Sequence, residues 1–385
     1  MRSETLVILG ASARAAAHSA RRAGFRAVCG DSFADVDLRA WCLVTAIEDY
    51  PAELEQVADA APPGAWLYTG GLENYPDLVE RIARARPLLG VGAAELRQVR
   101  NPYRVAEALG GGGLAFAECR AGPAGLPRDG SWLIKGRRSS GGSQVRIWGI
   151  EEADRGGGSD SYFQLRIRGD SQSAVYVAAN GQARLLGVTE QLLAVERPSE
   201  GAFRYAGSLG PLPLTLDRQR QFERIGDVLA REFMLTGLFG VDCIVAEETI
   251  WPVEVNPRYT ASIEVLERAS GLAAIAWHVA ACRQGVLPQA ASMAAAGRWF
   301  GKAILYAARD LLVSPEVADE MLGCPQASGW PAVGDLPAAG ARFAANQPVL
   351  TAFADGADRE SLLESLSQRQ TYWHGRLAGT GRLNG

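Results

Sequence analysis

The sequence predicts a mixed α/β and α+β chain in three parts: a Rossmann-like unit over residues 1–92, an α+β domain over 93–285, and a small mainly-β C-terminal unit over 286–385. Three observations predict it. The first stretch alternates apolar strand runs with amphipathic helix runs, the pattern of βαβ units on a parallel sheet. The middle stretch holds several strands bounded by turn residues, among them Asn180-Gly181, a strong hairpin signal. From about residue 286 the texture changes to shorter strand runs, "GRWFGKAILYAARDLLV" and "ARFAANQPVLTAFADG".

Taken in order, "TLVILG" reads as a buried parallel strand ending at Gly10. "ASARAAAHSARRAG" reads as a helix ending at Gly24, and "FRAVCGD" as the next strand. "WCLVTA" and "GAWLYTGG" continue the alternation, and "PDLVERIARARPLLG" is an amphipathic helix with an apolar turn after it. The first turn, "GASAR", is not GxGxxG, so ordinary strand–helix punctuation accounts for it. "AAELRQVRNPYRVAEALGGGG" is mainly helical and closes on four glycines. "SWLIKGRRSSGGSQVRIW" reads as a hairpin with a Gly-rich loop. "RQFERIGDVLAREFMLTG" is an amphipathic helix, and "LFGVDCIVAEETIWPVEVNPR" is a strand pair around the turn "AEET". "IEVLERASGLAAIAWHVAACRQG" is helical again.

Composition narrows the function. The chain has 385 residues, is 48% hydrophobic and carries a net charge of −4, which argues against a phosphate-backbone footprint and a nucleic-acid partner. No run of about 18 apolar residues suggests a membrane span. The N-terminus enters a strand pattern without the apolar region of a signal peptide. The six cysteines, Cys29, Cys42, Cys119, Cys243, Cys282 and Cys324, are scattered with no CxxC, which argues against a zinc site or a disulfide framework and suits a reducing cytoplasm. Only three histidines occur, His18, His278 and His374, too few to favour a His-based metal centre or triad. Lys135 and Lys302 are the only lysines among 39 basic residues. A lysine kept in so arginine-rich a chain can serve as a compact ammonium that arginine does not replace, or can survive by chance.

The chemistry gathers in "WPVEVNPRYTASIEVLE". In a strand, Glu254 and Asn256 share one face, while Val253 and Val255 point the other way, into a core. Pro257 ends the strand and leaves Arg258 just beyond it. If the two strands pair through "AEET", Asp242 lies across from Glu254 and Asn256. Three hard oxygen-bearing side chains beside a guanidinium suit magnesium and phosphate; a half-exposed edge strand with a surface arginine is the plainer alternative. Lys135 leads into "GRRSSGGSQV", whose backbone N–H groups could cradle a phosphate or form only a surface turn.

"WLIK" with its Gly-rich loop, "YFQLRIRGDSQSAV" and "GVDCIV…WPVEVNPR" together resemble, in order and spacing over about residues 95–285, an ATP-grasp enzyme of the carboxylate–amine/thiol ligase superfamily. The preceding βαβ unit resembles that family's pre-ATP-grasp domain. The resemblance implies ATP and Mg²⁺ as cofactors, with Mn²⁺ a substitute, and small-molecule carboxylate and amine substrates. It leaves a homodimer open and implies no membrane partner. It also implies roles for single residues. Lys135 would contact the phosphates, and Ser140, Gly141, Gly142 and Ser143 would close over them. The backbone of Gln164 and Leu165 would meet the adenine edge, and Asp170 the ribose. Many relatives carry an acidic residue where Leu165 stands, so only backbone recognition transfers there. Asp242 and Glu254 would be metal ligands, Glu254 bridging two ions, with Asn256 holding the second. Arg258 would steady the transferring phosphoryl group or the acyl phosphate. Relatives usually have a second phosphate-binding lysine before the hairpin; here "VRNPYRVAEAL" offers Arg100 or Arg104.

The implied activity is ATP-dependent amide formation through an acyl phosphate, a reaction that needs positioning and charge neutralisation and no nucleophilic side chain. "NPRYTASIEVLE" and "VGDLPAAGARF…NQPVLTAFADG" resemble predicted ATP-grasp carboligases, some of which accompany methanopterin- and methanofuran-type cofactor genes. Addition of an amino acid such as glutamate is the finer expectation. A carboxylating or phosphorylating enzyme and a catalytically inactive ATP-binding regulatory module are the alternatives.

Overall fold

The computed structural model describes residues 3–149, 160–194, 203–289, 297–324, 326–327 and 330–379. Strands β1 (Thr5–Gly10), β2 (Arg26–Asp31), β3 (Leu43–Ala46) and β4 (Ala65–Tyr68) form a parallel sheet in the order β3-β2-β1-β4. β1 and β4 are almost wholly buried, as expected of parallel strands covered on both faces. The Arg14–Arg22 helix packs on this sheet through Ala16, Ala17 and Ala20, whose small side chains allow a close approach. β4 runs into Thr69-Gly70-Gly71 and then a 3-10 turn, Leu72–Asn74. Gly71 has φ +97°, and a Cβ there would fall 2.5 Å from the Tyr50 hydroxyl, so this turn needs glycine.

A small antiparallel sheet follows, built from β5 (Cys119–Arg120), β6 (Trp132–Gly136), β7 (Val145–Ile147) and β8 (Ser161–Leu165), in the order β5-β8-β6-β7. The main sheet holds β9 (Asp170–Ala179), β10 (Gln182–Leu193), β11 (Tyr205–Gly210), β12 (Gly237–Ala246), β13 (Thr249–Asn256) and β14 (Trp299–Tyr306). Its order is β13-β12-β9-β10-β11-β14, continued by Pro348–Gly356 and Val333–Gly334. The two long strands after residue 286 thus extend the sheet begun in the middle of the chain. Asn180 (φ +53°) and Gly181 (φ +75°) make the tight β9–β10 turn expected of Asn-Gly. The Leu216–Glu232 helix starts at Thr215, whose hydroxyl accepts from the Arg218 N–H, and buries Phe222, Ile225 and Leu229 in the same apolar cluster as Tyr176 of β9.

β13 is the edge of the main sheet, which is why it tolerates Pro252 in mid-strand. The register is Asp242 opposite Glu254, then Cys243 opposite Pro252, so Val253 is the extra residue of a β-bulge. This corrects the strict alternation expected from the sequence. Val255 is buried in the core as expected, but Val253 lines a cavity beside Glu254.

Candidate active site

The site forms where the end of β13, the small sheet and the turn after β4 meet. Asp242 and Glu254 are direct cross-strand partners, and the Asn256 Nδ2 donates to Asp242 Oδ2 at 3.0 Å. The sequence-predicted trio is therefore assembled. A fourth side chain joins it: Gln191 of β10 donates through Nε2 to Asp242 Oδ1 at 2.9 Å, and its own Oε1 accepts from Ser171 at 2.9 Å. Burial, reinforced by the Glu254 charge, pushes the Asp242 carboxyl up to about 6. Burial also acts to raise Glu254, but Arg100 and Lys135 outweigh it and hold that carboxyl below its usual range. Two facing carboxylates and one amide oxygen are a hard oxygen set of the kind magnesium takes, so the residues present fit that ion.

Three cations face these carboxylates. Lys135 is buried, and its Nζ donates to Gln164 Oε1 at 3.1 Å and to the Val253 carbonyl at 3.3 Å. Burial acts to lower the Lys135 pKa, yet Tyr162 and Glu254 keep it above the ordinary lysine value. Arg100 donates from Nη1 to Glu254 Oε1 at 2.7 Å and from Nη2 to Asn74 Oδ1 at 2.9 Å. Arg104 instead pairs with Glu107 on the exposed helix surface at 2.6 Å. Of the two arginines the sequence left open, only Arg100 reaches the site. Arg258 donates from Nε to Glu73 Oε1 at 2.8 Å and from Nη2 to Asn256 Oδ1 at 3.1 Å, with Nη2 also in ion-pair contact with Glu73 Oε1 at 2.7 Å.

The glycine-rich loop is folded back on the molecule. Ser143 donates through its N–H and Oγ to the Ser140 carbonyl, closing a turn around Gly141 (φ +60°) and Gly142 (φ +76°). Tyr205 N–H donates to the Gly141 carbonyl at 3.0 Å, and a Cβ on Gly142 would lie 1.9 Å from the Phe203 carbonyl. The Ser139 carbonyl accepts from Asn74 Nδ2 at 3.3 Å and from Arg100 Nη2 at 3.4 Å. A cavity of about 30 Å³, room for one or two waters, remains between Arg100, Phe116, Lys135, Tyr162 and Glu254.

The residues expected on the nucleotide side lie on β8 and at the start of β9. The Leu165 N–H donates to the Glu118 carbonyl at 2.8 Å. Gln164 contributes its side chain as well as its backbone, because its amide bridges Lys135 and the Val253 carbonyl. Asp170 stands exposed at the start of β9, three residues before Ser173, the residue opposite Asp242. Sequence reasoning missed Gln191, Glu73 and Asn74. A signal existed for the last two: "TGGLEN" follows a parallel strand, and ligand sites gather at the carboxyl ends of such strands.

Residues 114–262 match a family model described as an ATP-grasp domain. No curated protein matches the chain. Among solved structures, Rhizobium etli pyruvate carboxylase superposes with a TM-score of 0.73 at 14% identity, covering 98% of this chain and 39% of that one. This chain therefore spans well under half of that protein's length. The biotin carboxylase domain of Hydrogenobacter thermophilus 2-oxoglutarate carboxylase, solved with MgADP, ADP and bicarbonate, gives 0.71 at 12% identity, covering 95% and 88%. The L-amino acid ligase of Bacillus licheniformis gives 0.68 at 14% identity, covering 97% and 98%. At these identities the shared feature is the fold.

Proposed function

The chain carries an ATP-grasp domain over residues 114–262, and from that premise we propose that it is an ATP-dependent ligase joining a carboxylate to an amine. The observation that carries the proposal is the cross-strand Asp242–Glu254 pair faced by Lys135, Arg100 and Arg258. Such an array neutralises phosphate charge in a partly buried place, where electrostatic stabilisation is strongest.

In the proposed reaction a carboxylate oxygen attacks the γ-phosphorus of ATP, and ADP leaves. The resulting acyl phosphate is attacked at its carbonyl carbon by a neutral amine. Phosphate departs, and the nitrogen loses a proton to give the amide. Lys135 supplies a point charge to the phosphates, and Arg100 takes the place of the second phosphate-binding lysine. Arg258 steadies the transferring phosphoryl group, and the Ser140–Ser143 loop covers it. Asp242, Glu254 and Asn256 would hold Mg²⁺, which when bound neutralises charge on the phosphate oxygens. Gln164 and Leu165 line the base side and Asp170 the ribose side of the same nucleotide.

The resemblance of "NPRYTASIEVLE" to predicted carboligases makes glutamate, with a methanopterin- or methanofuran-type acceptor, the first substrate set to try. A second reading, ATP-dependent carboxylation, is favoured by the structural neighbour solved with MgADP and bicarbonate. The test is thermal melting with and without millimolar MgATP, followed by an ADP-release assay on pooled carboxylates and amines, with mass detection of new amides and a bicarbonate arm. Binding raises the melting temperature, because the ligand stabilises only the native state. No shift with MgATP would overturn the proposal, and bicarbonate-dependent ADP release without amide would favour the second reading.

A further inference from the structure

The Leu72–Asn74 turn belongs to the first sheet's connection, yet its two polar residues reach the centre of the site. Glu73 has a wholly buried side chain, and Oε1 alone meets Arg258, accepting from Nε at 2.8 Å and lying 2.7 Å from Nη2 in an ion pair. Arg258 Nη1 donates to the Tyr259 carbonyl at 3.2 Å, so the guanidinium is held along several edges. The next residue, Asn74, accepts from Arg100 Nη2 at 2.9 Å and donates to the Ser139 carbonyl at 3.3 Å. One turn thus holds both arginines and the root of the glycine-rich loop. Arg258 in turn touches Asn256, and Arg100 touches Glu254.

Glu73 Oε2 is buried and has no hydrogen-bond partner among the described residues, and the same holds for the hydroxyl of Tyr50. That hydroxyl lies against Gly71, two residues from Glu73. A carboxylate kept only for stability would be expected to satisfy both oxygens, since a buried acceptor without a partner is destabilising. The one-sided grip instead leaves Oε2 uncommitted, while Glu73, Asn256 and the Tyr259 carbonyl together fix the direction of the guanidinium. Arginine carries about 2 kcal/mol of rotamer entropy, so a charge that must be in place before phosphoryl transfer needs such a holder.

We propose that this turn is a positioning device for the phosphoryl-transfer site. Glu73 sets the direction of Arg258 toward the transferring group, and Asn74 ties Arg100 to the closed loop over the nucleotide. The proposal rests on the ATP-dependent reading above.

The experiment is calorimetric titration of the full chain with MgADP, alone and with aluminium fluoride, a mimic of the phosphoryl group in transit. It needs no knowledge of the acceptor. In the wild type, aluminium fluoride should tighten MgADP binding. Glu73→Gln should leave MgADP affinity within about twofold and lessen the fluoride-dependent tightening about tenfold, with Glu73→Asp recovering part of it. Asn74→Ala should weaken MgADP itself by about three- to tenfold, because the loop and Arg100 lose their tether. Combining Glu73→Gln with Arg258→Gln should add nothing to Arg258→Gln alone, as expected of residues that act through one another. Melting curves establish that each variant is folded; if Glu73→Gln is not, Glu73→Asp and Asn74→Ala carry the test. Full fluoride-dependent tightening in the Glu73 variants, or additive effects in the double variant, would overturn the proposal. A wild type that binds no MgADP overturns the ATP-dependent reading and this inference with it. A wild type that binds, with variants that behave identically, overturns only the inference.

Discussion

Replacing Glu254 by glutamine keeps shape and hydrogen-bonding atoms and removes one charge from the centre of the site. Its effect on the ligand-free protein depends on two opposing contributions. Asp242 is destabilised by the neighbouring Glu254 charge, although burial is the larger cause. Relief of that repulsion is worth less than about 1 kcal/mol, a minor share of a shift near two pKa units. Against it stands the Arg100–Glu254 ion pair at 2.7 Å, with side chains only 13% and 27% exposed. Breaking a fully buried pair costs about 3–5 kcal/mol and an exposed one up to about 1. Arg100 keeps Asn74 and the Val255 carbonyl as acceptors, so the loss here is about 1–2 kcal/mol. Repulsion alone would make the variant more stable; the ion pair reverses the sign. The ligand-free melting temperature should fall by about 1–3 °C in a chain of this size. Turnover should fall about 10²-fold or more, the scale for losing one preorganised charge-stabilising group. The assay is ATP-dependent ADP release across a magnesium titration, beside ligand-free melting curves. Near wild-type turnover at limiting magnesium would refute the metal-ligand assignment. A raised ligand-free melting temperature would refute the weight given to Arg100.

The two lysines should separate cleanly. Lys135→Ala should weaken MgATP binding strongly, whereas Lys302→Ala should leave nucleotide affinity nearly unchanged and destabilise the fold by roughly 2–4 kcal/mol, because Lys302 Nζ donates to the buried Glu264 at 3.2 Å. Equal effects on nucleotide affinity in two folded variants would contradict this. Glu267, in the Ile263–Ser270 helix, is pushed up to about 7 by burial, although Ser19, the Ala274 N–H and Tyr259 all donate to it. Its folded pKa exceeds the unfolded value, so the native state binds the proton more tightly. The associated stability is full below about pH 4.5 and is lost as pH rises through about 7, up to about 3 kcal/mol in all. Glu267→Gln should flatten the decline in melting temperature between pH 5 and 8; an unchanged slope would exclude Glu267 as its source.

The parts of the fold that were legible are those with local causes. The βαβ start shows in the alternation of "TLVILG", an alanine-rich helix and "FRAVCGD", and the Asn180-Gly181 turn is a property of two residues that tolerate positive φ. The β12–β13 pairing was legible for the same reason, since a two-residue turn joins the strands, but that turn alone would set Asp242 opposite Val253; the bulge, which the sequence did not show, brings Glu254 opposite Asp242. The continuation of the main sheet by Trp299–Tyr306 and Pro348–Gly356 was not, because β11 and β14 are joined by about 90 residues with no local signal. Glu73 and Asn74 escaped for a related reason. Each is an ordinary turn residue in sequence, and each gains its place only through an arginine distant along the chain, Arg258 for one and Arg100 for the other.

The bulge at Val253 shows how a departure from pattern serves the site. Without the extra residue the register of the turn would set Asp242 opposite Val253; with it, Asp242 faces Glu254. Pro252 lacks an N–H, so the ladder is already broken there, and the edge position makes the break tolerable. On this edge strand the Val253 carbonyl accepts from Lys135 and Gln164, as the Val255 carbonyl accepts from Arg100. A buried ammonium needs such neutral acceptors if it is to stay charged without being neutralised by a tight carboxylate partner. Lys135 has such acceptors in Gln164, the Val253 carbonyl and Tyr162, and Glu254 acts on it only through the field, so the ammonium stays charged. The residue that looks like a flaw in the strand therefore sets the two carboxylates in register, and the neutral acceptors around Lys135 leave its charge for the phosphate that the proposed reaction would bring.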